Sequence, residues 1–551
     1  MRDIRRVVLV GFSGSGKSTV ALMLAARLNW QPVDLDIEIE IEAGRTIPEI
    51  FATDGEAVFR ATEQRHLARA LARDRVVIAT GGGAVVDPAV WSDDLLESRG
   101  TLVVALDAQP EVVLNRLRRQ QASEGDAATR PLLAVADPLA RIVSLKHDRQ
   151  AAYDRAHLTL VVDAVMPEEA ADEIAELVVR SSMTPAVRLE ATSGSSAVHI
   201  GAGVTAYLGE LVRERWPKVR RVWIVSDANV DPLHGDTIAA TFAALGCEVR
   251  RKAVPAGEGS KHLTVVSDLY DWMLGSGIER GDVVVALGGG VIGDLAGFVA
   301  ATVLRGVGLV QVPTSLLAMV DSSIGGKTGI DHAVGKNLIG AFYQPPLVVI
   351  DTAMLETLPE RQLRAGFAEI IKHAVIQPST PGGDRGDLMR LLERNQRGLL
   401  AGAEPAMTYL VQRNVALKAA VVQADEKESG IRAFLNFGHT LGHAIEAAGY
   451  TLLHGEAVSV GMRAAMRIGR QLGTTFDPAL DRLDGLLAGY GLPLTATVDR
   501  SEAMGYLGSD KKRAAGKQRW VLPLNDGGVT ISSDVPLEVA EAALAEVTTQ
   551  R

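Results

Sequence analysis

The chain has 551 residues, of which 47% are hydrophobic and 23% charged, with a formal net charge of −10. This length predicts three or four folding units, and the composition is that of a globular protein. The acidic balance and the 4% aromatic content argue against nucleic acid as a main partner. The single cysteine, Cys247, excludes an internal disulfide, and we expect neither a signal peptide nor a membrane span. We therefore expect a cytoplasmic enzyme or binding protein.

Residues 1–180 alternate short apolar runs with helical patterns. The runs RVVLV, RVVIAT and TLVVALD are continuous and rich in Val and Ile, which is typical of buried parallel strands. They predict an α/β domain. Residues 181–196 lose this periodicity and collect Ser, Thr, Gly and Pro, which predicts a linker, although its middle could be the first strand of the next domain.

A phosphate-binding loop follows the first predicted strand. Residues 11–18, GFSGSGKS, match G-x-x-x-x-G-K-S and precede a helical pattern, the context that this motif requires. Its backbone N–H groups and the helix N-terminus would hold phosphates, Lys17 would neutralise them, and Ser18 would bind Mg²⁺. The predicted ATP-binding residues are Gly14, Ser15, Gly16, Lys17, Ser18 and Thr19.

Several weaker features after the loop together indicate a kinase. Asp34 and Asp36 follow the first helix at a strand end, and one could orient Mg²⁺ while the other accepts a substrate hydroxyl. The further features are the motifs FRATE (59–63), TGGG (80–83) and RPLL (130–133), the last after a polar stretch typical of a lid, and Arg149 four residues before Tyr153.

In these motifs residues 1–180 resemble shikimate kinase, with an NMP-kinase-like parallel sheet. The resemblance implies that Asp36, Arg60, Gly82 and Arg149 bind shikimate, and arginine suits its carboxylate because the guanidinium binds it bidentately. It also implies that Asp34 lies near Mg²⁺ or the reacting hydroxyl, and that Arg130 closes over the transferred phosphoryl group. Arg116, Arg118 and Arg119 remain alternatives for the contact to adenine.

The rest of the chain divides into two parts. Residues 197–355 alternate strand and helix patterns, with predicted strands RRVWIVSD, DVVVALGG, LVQVP and LVVID, which indicates a Rossmann-like domain. Residues 356–551 are dominated by helical patterns. An active site is expected in the cleft between two such parts.

The second part of the chain carries a dinucleotide motif and a candidate metal site. Gly288-x-Gly290-x-x-Gly293 lies at a strand-to-helix turn, with Asp294 directly after it, and Asp227 and Asn229 could serve the ribose or adenine end. The candidate metal ligands are His439 and His443, four apart on one helical face, His454 and Glu369. These residues leave open which histidine is not a ligand.

Many cationic and polar side chains lie in glycine-rich or helix-start contexts. They suggest a substrate with several negative charges, such as a phosphorylated acid. The group comprises Arg305, Lys327, Lys336, Asn337, Lys372, Arg432 and Asn436.

Residues from about 195 to 551 resemble 3-dehydroquinate synthase, through runs such as GGGVIGDLAGFVAAT, DSSIGGKTGI, GKNLIGAFYQP, LNFGHTLGHAIE and HGEAVSVGM. The resemblance implies that zinc or another divalent metal such as Co²⁺ binds Glu369, His439 and His454, while His443 transfers protons near the substrate phosphate. It implies that the NAD-binding residues are Asp227, Asn229, Glu258, Lys261, Gly289, Gly290, Val291, Ile292, Gly293, Asp294, Thr314, Ser315, Lys327, Lys336 and Thr357. The implied substrate residues are Asp321, Lys327, Asn337, Lys372, Glu428, Arg432, Asn436, either Lys511 or Lys512, and Arg305 from the neighbouring subunit of a homodimer.

Together the two resemblances imply a bifunctional enzyme of the shikimate pathway, which precedes the aromatic amino acids. The kinase would phosphorylate shikimate with ATP, and the synthase would convert 3-deoxy-D-arabino-heptulosonate 7-phosphate to 3-dehydroquinate with phosphate release and catalytic NAD. Two alternatives remain: a metal-dependent alcohol dehydrogenase with the same architecture, which needs no cationic clamp, or one catalytically dead half that regulates or scaffolds the other.

Overall fold

The computed structural model describes residues 4–124, 133, 135–179, 183–449, 451–513, 518–525 and 527–551. Its Cα positions divide into two compact units, residues 1–180 with 390–406, and residues 181–389 with 407–551. Among the described residues, no helix is both long and apolar enough to cross a membrane.

The first unit is built on a five-stranded sheet in the order β2-β3-β1-β4-β5, with every neighbouring pair parallel. Its strands are β1 (Arg6–Val10), β2 (Gln31–Asp34), β3 (Val76–Ala79), β4 (Thr101–Asp107) and β5 (Leu158–Val161). The helices are α1 (Lys17–Leu28), α2 (Leu35–Ala43), α3 (Ile47–Asp54), α4 (Glu56–Leu71), α5 (Pro110–Glu124), α6 (Pro138–Tyr153) and α7 (Pro167–Val179). The predicted strands RVVLV, RVVIAT and TLVVALD lie in β1, β3 and β4, and the predicted fold class is confirmed.

Local sequence signals explain the helices that border the first site. Asp34 ends β2 and accepts hydrogen bonds from the N–H groups of Asp36 and Ile37, so that it caps α2. Thr46 and Glu49 form a reciprocal capping box at the start of α3. Within the same unit, the Asn395 side chain accepts from Thr159 N–H at 2.7 Å and donates to Thr159 O at 3.0 Å, which satisfies backbone groups of the edge strand β5.

The second unit contains a seven-stranded sheet in the order β6-β7-β14-β11-β10-β8-β9, in which the β6–β7 pair is antiparallel and the other neighbours are parallel. Its strands are β6 (Val187–Ala191), β7 (Gly194–Ile200), β8 (Arg221–Asp227), β9 (Glu248–Val254), β10 (Val283–Gly288), β11 (Gly308–Pro313) and β14 (Leu347–Ile350). A separate antiparallel hairpin pairs β12 (Lys327–His332) with β13 (Gly335–Phe342). Its four helices before residue 356 are α8 (Leu208–Arg215), α9 (Asp236–Ala243), α10 (Leu263–Gly275) and α11 (Gly290–Thr302).

The predicted linker 181–196 contains strand residues. β6 forms its middle, which agrees with the alternative that this part is the first strand of the next domain, and Thr192 and Ser193 form the turn of a hairpin with β7. Leu189 is fully buried while its neighbours Arg188 and Glu190 are exposed, which is the alternation of a half-buried strand. The polar composition therefore marks a tight connection at the edge of the sheet.

Helices dominate the chain after residue 356, as predicted. They are α12 (Glu360–Ile376), α13 (Leu388–Leu400), α14 (Ala406–Ala424), α15 (His439–Gly449), α16 (His454–Gln471), α17 (Asp477–Gly489), α18 (Arg500–Arg513) and α19 (Leu537–Val547). Four short strands accompany them: β15 (Ala496–Val498) pairs with β18 (Thr548–Gln550), and β16 (Trp520–Pro523) pairs with β17 (Val529–Ser532). Apolar residues of α15, α16 and α19 share one buried core.

Two candidate active sites

The loop between β1 and α1 has the geometry of a phosphate cradle. Gly11, Gly14 and Gly16 have φ values of 136°, 80° and 99°, which other residues rarely adopt, and a Cβ on Gly11 would lie 2.4 Å from Leu106 O. Lys17 is buried, and its Nζ donates to the carbonyls of Gly11 and Phe12 at 3.0 Å each. Ser18 and Thr19 are exposed at the start of α1, and no side chain caps this helix. The amino group and the helix N-terminus therefore lie where an anion is stabilised.

A cavity lies beside this loop and is lined by both charged and aromatic groups. Its lining includes Asp36, Arg60, Gly82 and Arg149, the four residues predicted to bind shikimate, and the apolar side chains of Phe12, Ile47, Phe51, Phe59, Leu133 and Leu145. Arg149 donates from Nη1 to Gly82 O at 3.1 Å, and the Tyr153 hydroxyl donates to the same carbonyl at 2.5 Å. The R-x-x-x-Y pair thus fixes the position of the glycine segment.

Glu63 positions Arg60 in this cavity and was missing from the predicted site, although it belongs to the FRATE motif. Its Oε2 accepts from Arg60 Nη1 at 2.7 Å, and its side chain is almost completely buried. Burial raises the pKa of the Glu63 carboxyl, while Arg60 opposes the shift. A Cβ on Gly81 would lie 2.2 Å from Glu63 Oε1, so the glycines are needed for close approach.

The predicted arginines near the nucleotide differ in their placement. Arg116 donates to Ser15 O in the loop at 3.4 Å and to Val162 O at 2.6 Å. Arg118 and Arg119 are exposed on the same helix, α5. Arg130 lies outside the described residues. Of the three candidates for the adenine end, Arg116 is the one that contacts the phosphate loop.

The predicted dinucleotide residues gather at the carboxyl ends of three adjacent strands, β8, β10 and β11. Asp227 ends β8, Gly289 follows β10, and Thr314 and Ser315 follow β11. Ligands of open α/β sheets bind at such an edge. A Cβ on Gly293 would lie 2.9 Å from Gln311 Oε1, so this glycine allows α11 to approach β11 closely.

Other predicted dinucleotide residues form polar contacts around this edge. Lys261 is buried, and its Nζ lies 2.9 Å from Asp294 Oδ2 and 2.5 Å from Asn337 Oδ1. Thr357 Oγ1 lies 2.8 Å from His234 Nε2. Asp227 accepts from the N–H groups of Asn229 and Val230, which orders the loop after β8. Lys261 therefore links Asp294 of α11 to Asn337.

The predicted metal ligands converge in the helical part. Nε2 of His439 and Nε2 of His454 lie 3.5 Å and 3.4 Å from Oε1 of Glu369. A tetrahedral ion with bonds of about 2.0–2.1 Å separates its ligand atoms by about 3.3–3.4 Å, so this spacing fits zinc. Glu369 Oε1 is buried and has no hydrogen-bond partner among the described residues, which also fits a metal ligand.

His443 lies beside these groups and is exposed. The ligand nitrogens of His439, His443 and His454 all lie within 4.8 Å of one another. Burial lowers the pKa of His439 to about 3, which favours the neutral imidazole that a metal requires.

Two lysines that are predicted to bind the substrate form ion pairs with carboxylates of the synthase unit. Lys372 forms an ion pair with Glu369, and its Nζ lies 3.8 Å from Asp321 Oδ1. Lys327 pairs with Glu428, which also accepts from Asn436 Nδ2 at 2.6 Å. Each of these two lysines, both predicted to bind the substrate, is therefore held by a carboxylate partner.

The loop before α15 fixes Arg432, whose Nη2 donates to Gly325 O at 3.2 Å. Asp425 accepts from the N–H groups of Ser429, Gly430 and Arg432. Burial would raise the pKa of Asp425, but these donors lower it to about 2.

In the second unit, two functional candidates among the described residues were not predicted from the sequence. Lys418, on α14, is buried with Nζ 2.7 Å from Asp321 Oδ1 and 2.6 Å from Asp321 O, and burial lowers its pKa to about 8. Its only sequence signal is a lysine within an apolar helical run. Glu446, on α15, contacts both Lys336 and His454.

Arg305, which was predicted to act from the neighbouring subunit, has no contact with this cluster among the described residues of its own chain. Arg305 is exposed beyond α11 with φ of 67°, and it forms no hydrogen bond or ion pair within the described ranges. The side chains of Lys511 and Lys512 lie outside the described part of the structure.

Family comparisons match both halves of the chain. A shikimate kinase model matches residues 13–179, a 3-dehydroquinate synthase N-terminal model residues 251–365, and a 3-dehydroquinate synthase C-terminal model residues 366–513.

Full-length relatives and a solved structure agree with the synthase match. A 3-dehydroquinate synthase from Symbiobacterium thermophilum is 48% identical over 342 residues, which are 61% of this chain and 94% of that protein. One from a Synechocystis species is 45% identical over 59% of this chain and 90% of its own length. The structure of 2-epi-5-epi-valiolone synthase from Streptomyces hygroscopicus, with NAD⁺ and Zn²⁺ bound, is 31% identical with a TM-score of 0.56, over 60% of this chain and 91% of that one. The chain therefore belongs to the 3-dehydroquinate synthase family and carries an N-terminal shikimate kinase domain, which makes it a bifunctional enzyme of the shikimate pathway.

Proposed function

We propose that the first unit transfers the γ-phosphoryl group of ATP to the 3-hydroxyl of shikimate. The cavity that joins Arg60 and Arg149 to an apolar lining beside the phosphate loop supports this substrate, a small ring with one carboxylate. Lys17 neutralises the transferring phosphoryl group, Ser18 holds Mg²⁺, and Asp34 lies near Mg²⁺ or the hydroxyl. Arg116 contacts adenine, since it already contacts the phosphate loop.

For the second unit, we propose conversion of 3-deoxy-D-arabino-heptulosonate 7-phosphate to 3-dehydroquinate and inorganic phosphate. When bound, the divalent metal would polarise a substrate hydroxyl, and NAD⁺ would take a hydride from that carbon and later return it, so that no net oxidation results. Glu369, His439 and His454 are the proposed metal ligands, and Lys327, Lys372, Lys418 and Arg432 bind the phosphate and carboxylate. His443, exposed beside the cluster, moves a proton as the phosphate leaves, and the ring then opens and closes by an aldol step.

One observation favours this reaction over the dehydrogenase alternative: cationic side chains lie beside the proposed metal ligands. Lys372 pairs with Glu369, and both Lys372 and Lys418 approach Asp321. A dehydrogenase of a neutral alcohol needs no such clamp, whereas a substrate with phosphate and carboxylate groups does. Both sites also carry the side chains that their reactions require, which argues against a catalytically dead half.

The synthase reaction leaves NAD⁺ unchanged overall, whereas a dehydrogenase reaction converts it to NADH. This difference provides the test. Metal- and NAD-loaded protein should release phosphate and form 3-dehydroquinate in equal amounts, with no net accumulation of NADH. Chelation should stop both, and zinc should restore them. Substrate-proportional NADH without phosphate release would support the dehydrogenase instead.

We also infer a homodimer through the synthase part. Arg305 is exposed and has no hydrogen bond or ion pair within the described ranges, which supports its predicted contribution to the site of a neighbouring copy. Light scattering should give twice the chain mass, and Arg305→Ala should lower synthase activity. A monomeric, fully active enzyme would contradict this inference.

A further inference from the structure

Glu446 lies between two groups that belong to different parts of the synthase unit. Its Oε2 is 3.1 Å from His454 Nδ1, and its Oε1 is 2.8 Å from Lys336 Nζ. His454 begins α16, while Lys336 lies on the β12–β13 hairpin of the dinucleotide part. One half-buried carboxylate therefore joins the proposed metal site to a proposed NAD-binding lysine.

The contact to His454 sets the tautomer of that imidazole. Nδ1 faces Glu446 and Nε2 faces Glu369, so that with a metal bound at Nε2 the hydrogen bond to Glu446 would hold the remaining ring proton on Nδ1. His439 has the same arrangement, since its Nδ1 lies 3.2 Å from Phe437 O and its Nε2 faces Glu369. The difference is that His454 has a charged acceptor, which increases the basicity of the ligand.

Lys336 shares this acceptor and is also part of a longer run of charges. Its Nζ lies 3.9 Å from Glu258 Oε1, Lys261 Nζ lies 3.7 Å from the same oxygen, and Lys261 also pairs with Asp294 on α11. Lys336 is more than half exposed, so an anionic ligand can attract it. When Lys336 turns to such a ligand, the Glu446 carboxylate loses a cation and becomes a stronger acceptor for His454.

We propose that Glu446 is a positioning residue that orients His454 for the metal and couples metal affinity to the position of Lys336. The inference rests on the proposed metal ligands of the synthase. Substitutions at Glu446 and at Lys336 should therefore have different effects on metal affinity. Loss of the Glu446 charge weakens zinc binding, whereas loss of the Lys336 charge leaves it unchanged or strengthens it.

The test is zinc affinity of the full chain, measured by competition with a chromophoric chelator. Glu446→Gln should weaken zinc binding about tenfold to a hundredfold, as loss of such an outer carboxylate does. Lys336→Met should not weaken it, and the double variant should bind zinc like Glu446→Gln alone. Glu446→Asp keeps the charge and serves as the conservative variant, with affinity between wild type and Glu446→Gln.

The outcomes separate this inference from the proposed function. Equal thermal unfolding of the apo wild type and Glu446→Gln shows that the fold is retained, and cobalt absorption spectra report the ligand geometry directly. Unchanged zinc affinity in Glu446→Gln would overturn the role of Glu446 alone. Wild-type protein that binds no stoichiometric zinc would overturn the ligand set and, with it, this inference. Weaker zinc binding in Lys336→Met would overturn the coupling.

Discussion

Nε2 of His454 lies 3.4 Å from Oε1 of Glu369, a buried carboxylate oxygen without a hydrogen-bond partner among the described residues. Such an oxygen costs free energy unless a cation approaches it. His439 meets the same oxygen at 3.5 Å, so three potential ligand atoms share one centre. This geometry, together with the ion pair between Lys372 and the other oxygen of Glu369, explains why a helix-rich domain keeps an acidic side chain in its interior.

The ligand assignment predicts a difference between Glu369 and His443. Glu369→Gln should lose zinc after dialysis, because an amide is a poor replacement for a carboxylate ligand. His443→Ala should retain one zinc per chain but lose phosphate release, since we assign it to proton transfer. Metal analysis and a phosphate assay on the same samples check both. Zinc loss in His443→Ala with retention in Glu369→Gln would reverse the assignment.

Lys418 is predicted to bind substrate as a cation. Its pKa is lowered to about 8 by burial, so its proton is present below pH 8 and is lost as the pH rises through that value. Synthase kcat/KM should therefore fall on the alkaline side with this pKa. Lys418→Met should lower kcat/KM at pH 7 by about tenfold to a hundredfold, the loss expected for one charged hydrogen bond.

The matched control for Lys418 is Lys427→Met. Lys427 is exposed in the loop after α14, and its substitution should leave kcat/KM and its pH profile unchanged. If the alkaline fall of kcat/KM persists unchanged in Lys418→Met, the titration belongs to another group.

Most of the fold was predictable because its signals are local. The strands RVVLV and VVVALG are continuous apolar runs, and the two glycine-rich turns directly follow them. Glu446 and Lys418 were not predictable as site residues, since each gains its role from partners on distant elements: Lys336 lies 110 positions from Glu446, and Asp321 lies 97 from Lys418. The β12–β13 hairpin was also missed, because its residues Lys336 and Asn337 were interpreted only as ligands.

In the kinase unit, Arg60 should bind the carboxylate of shikimate bidentately through its planar guanidinium group. Arg60→Lys removes bidentate binding and the fixed pair with Glu63, so KM for shikimate should rise about tenfold or more, with a smaller change in KM for ATP. Steady-state kinetics with each substrate varied in turn give this separation.

Arg65→Lys is the control on the same helix. Arg65 is exposed on α4 and pairs with Glu42, away from the cavity lining, so both KM values should stay as in wild type. Equal effects of the two substitutions would place the loss in the stability of α4 rather than in substrate binding.

The most direct test of two independent active sites is to measure both activities of one preparation in wild type, Lys17→Met and Glu369→Gln. Lys17→Met should lower ATP-dependent shikimate phosphorylation by about a hundredfold or more, while phosphate release from 3-deoxy-D-arabino-heptulosonate 7-phosphate continues at the wild-type rate. Glu369→Gln should abolish that phosphate release and leave the kinase unchanged. A wild-type chain that lacks either activity when fully loaded with metal and NAD, or a single substitution that abolishes both, would contradict the account.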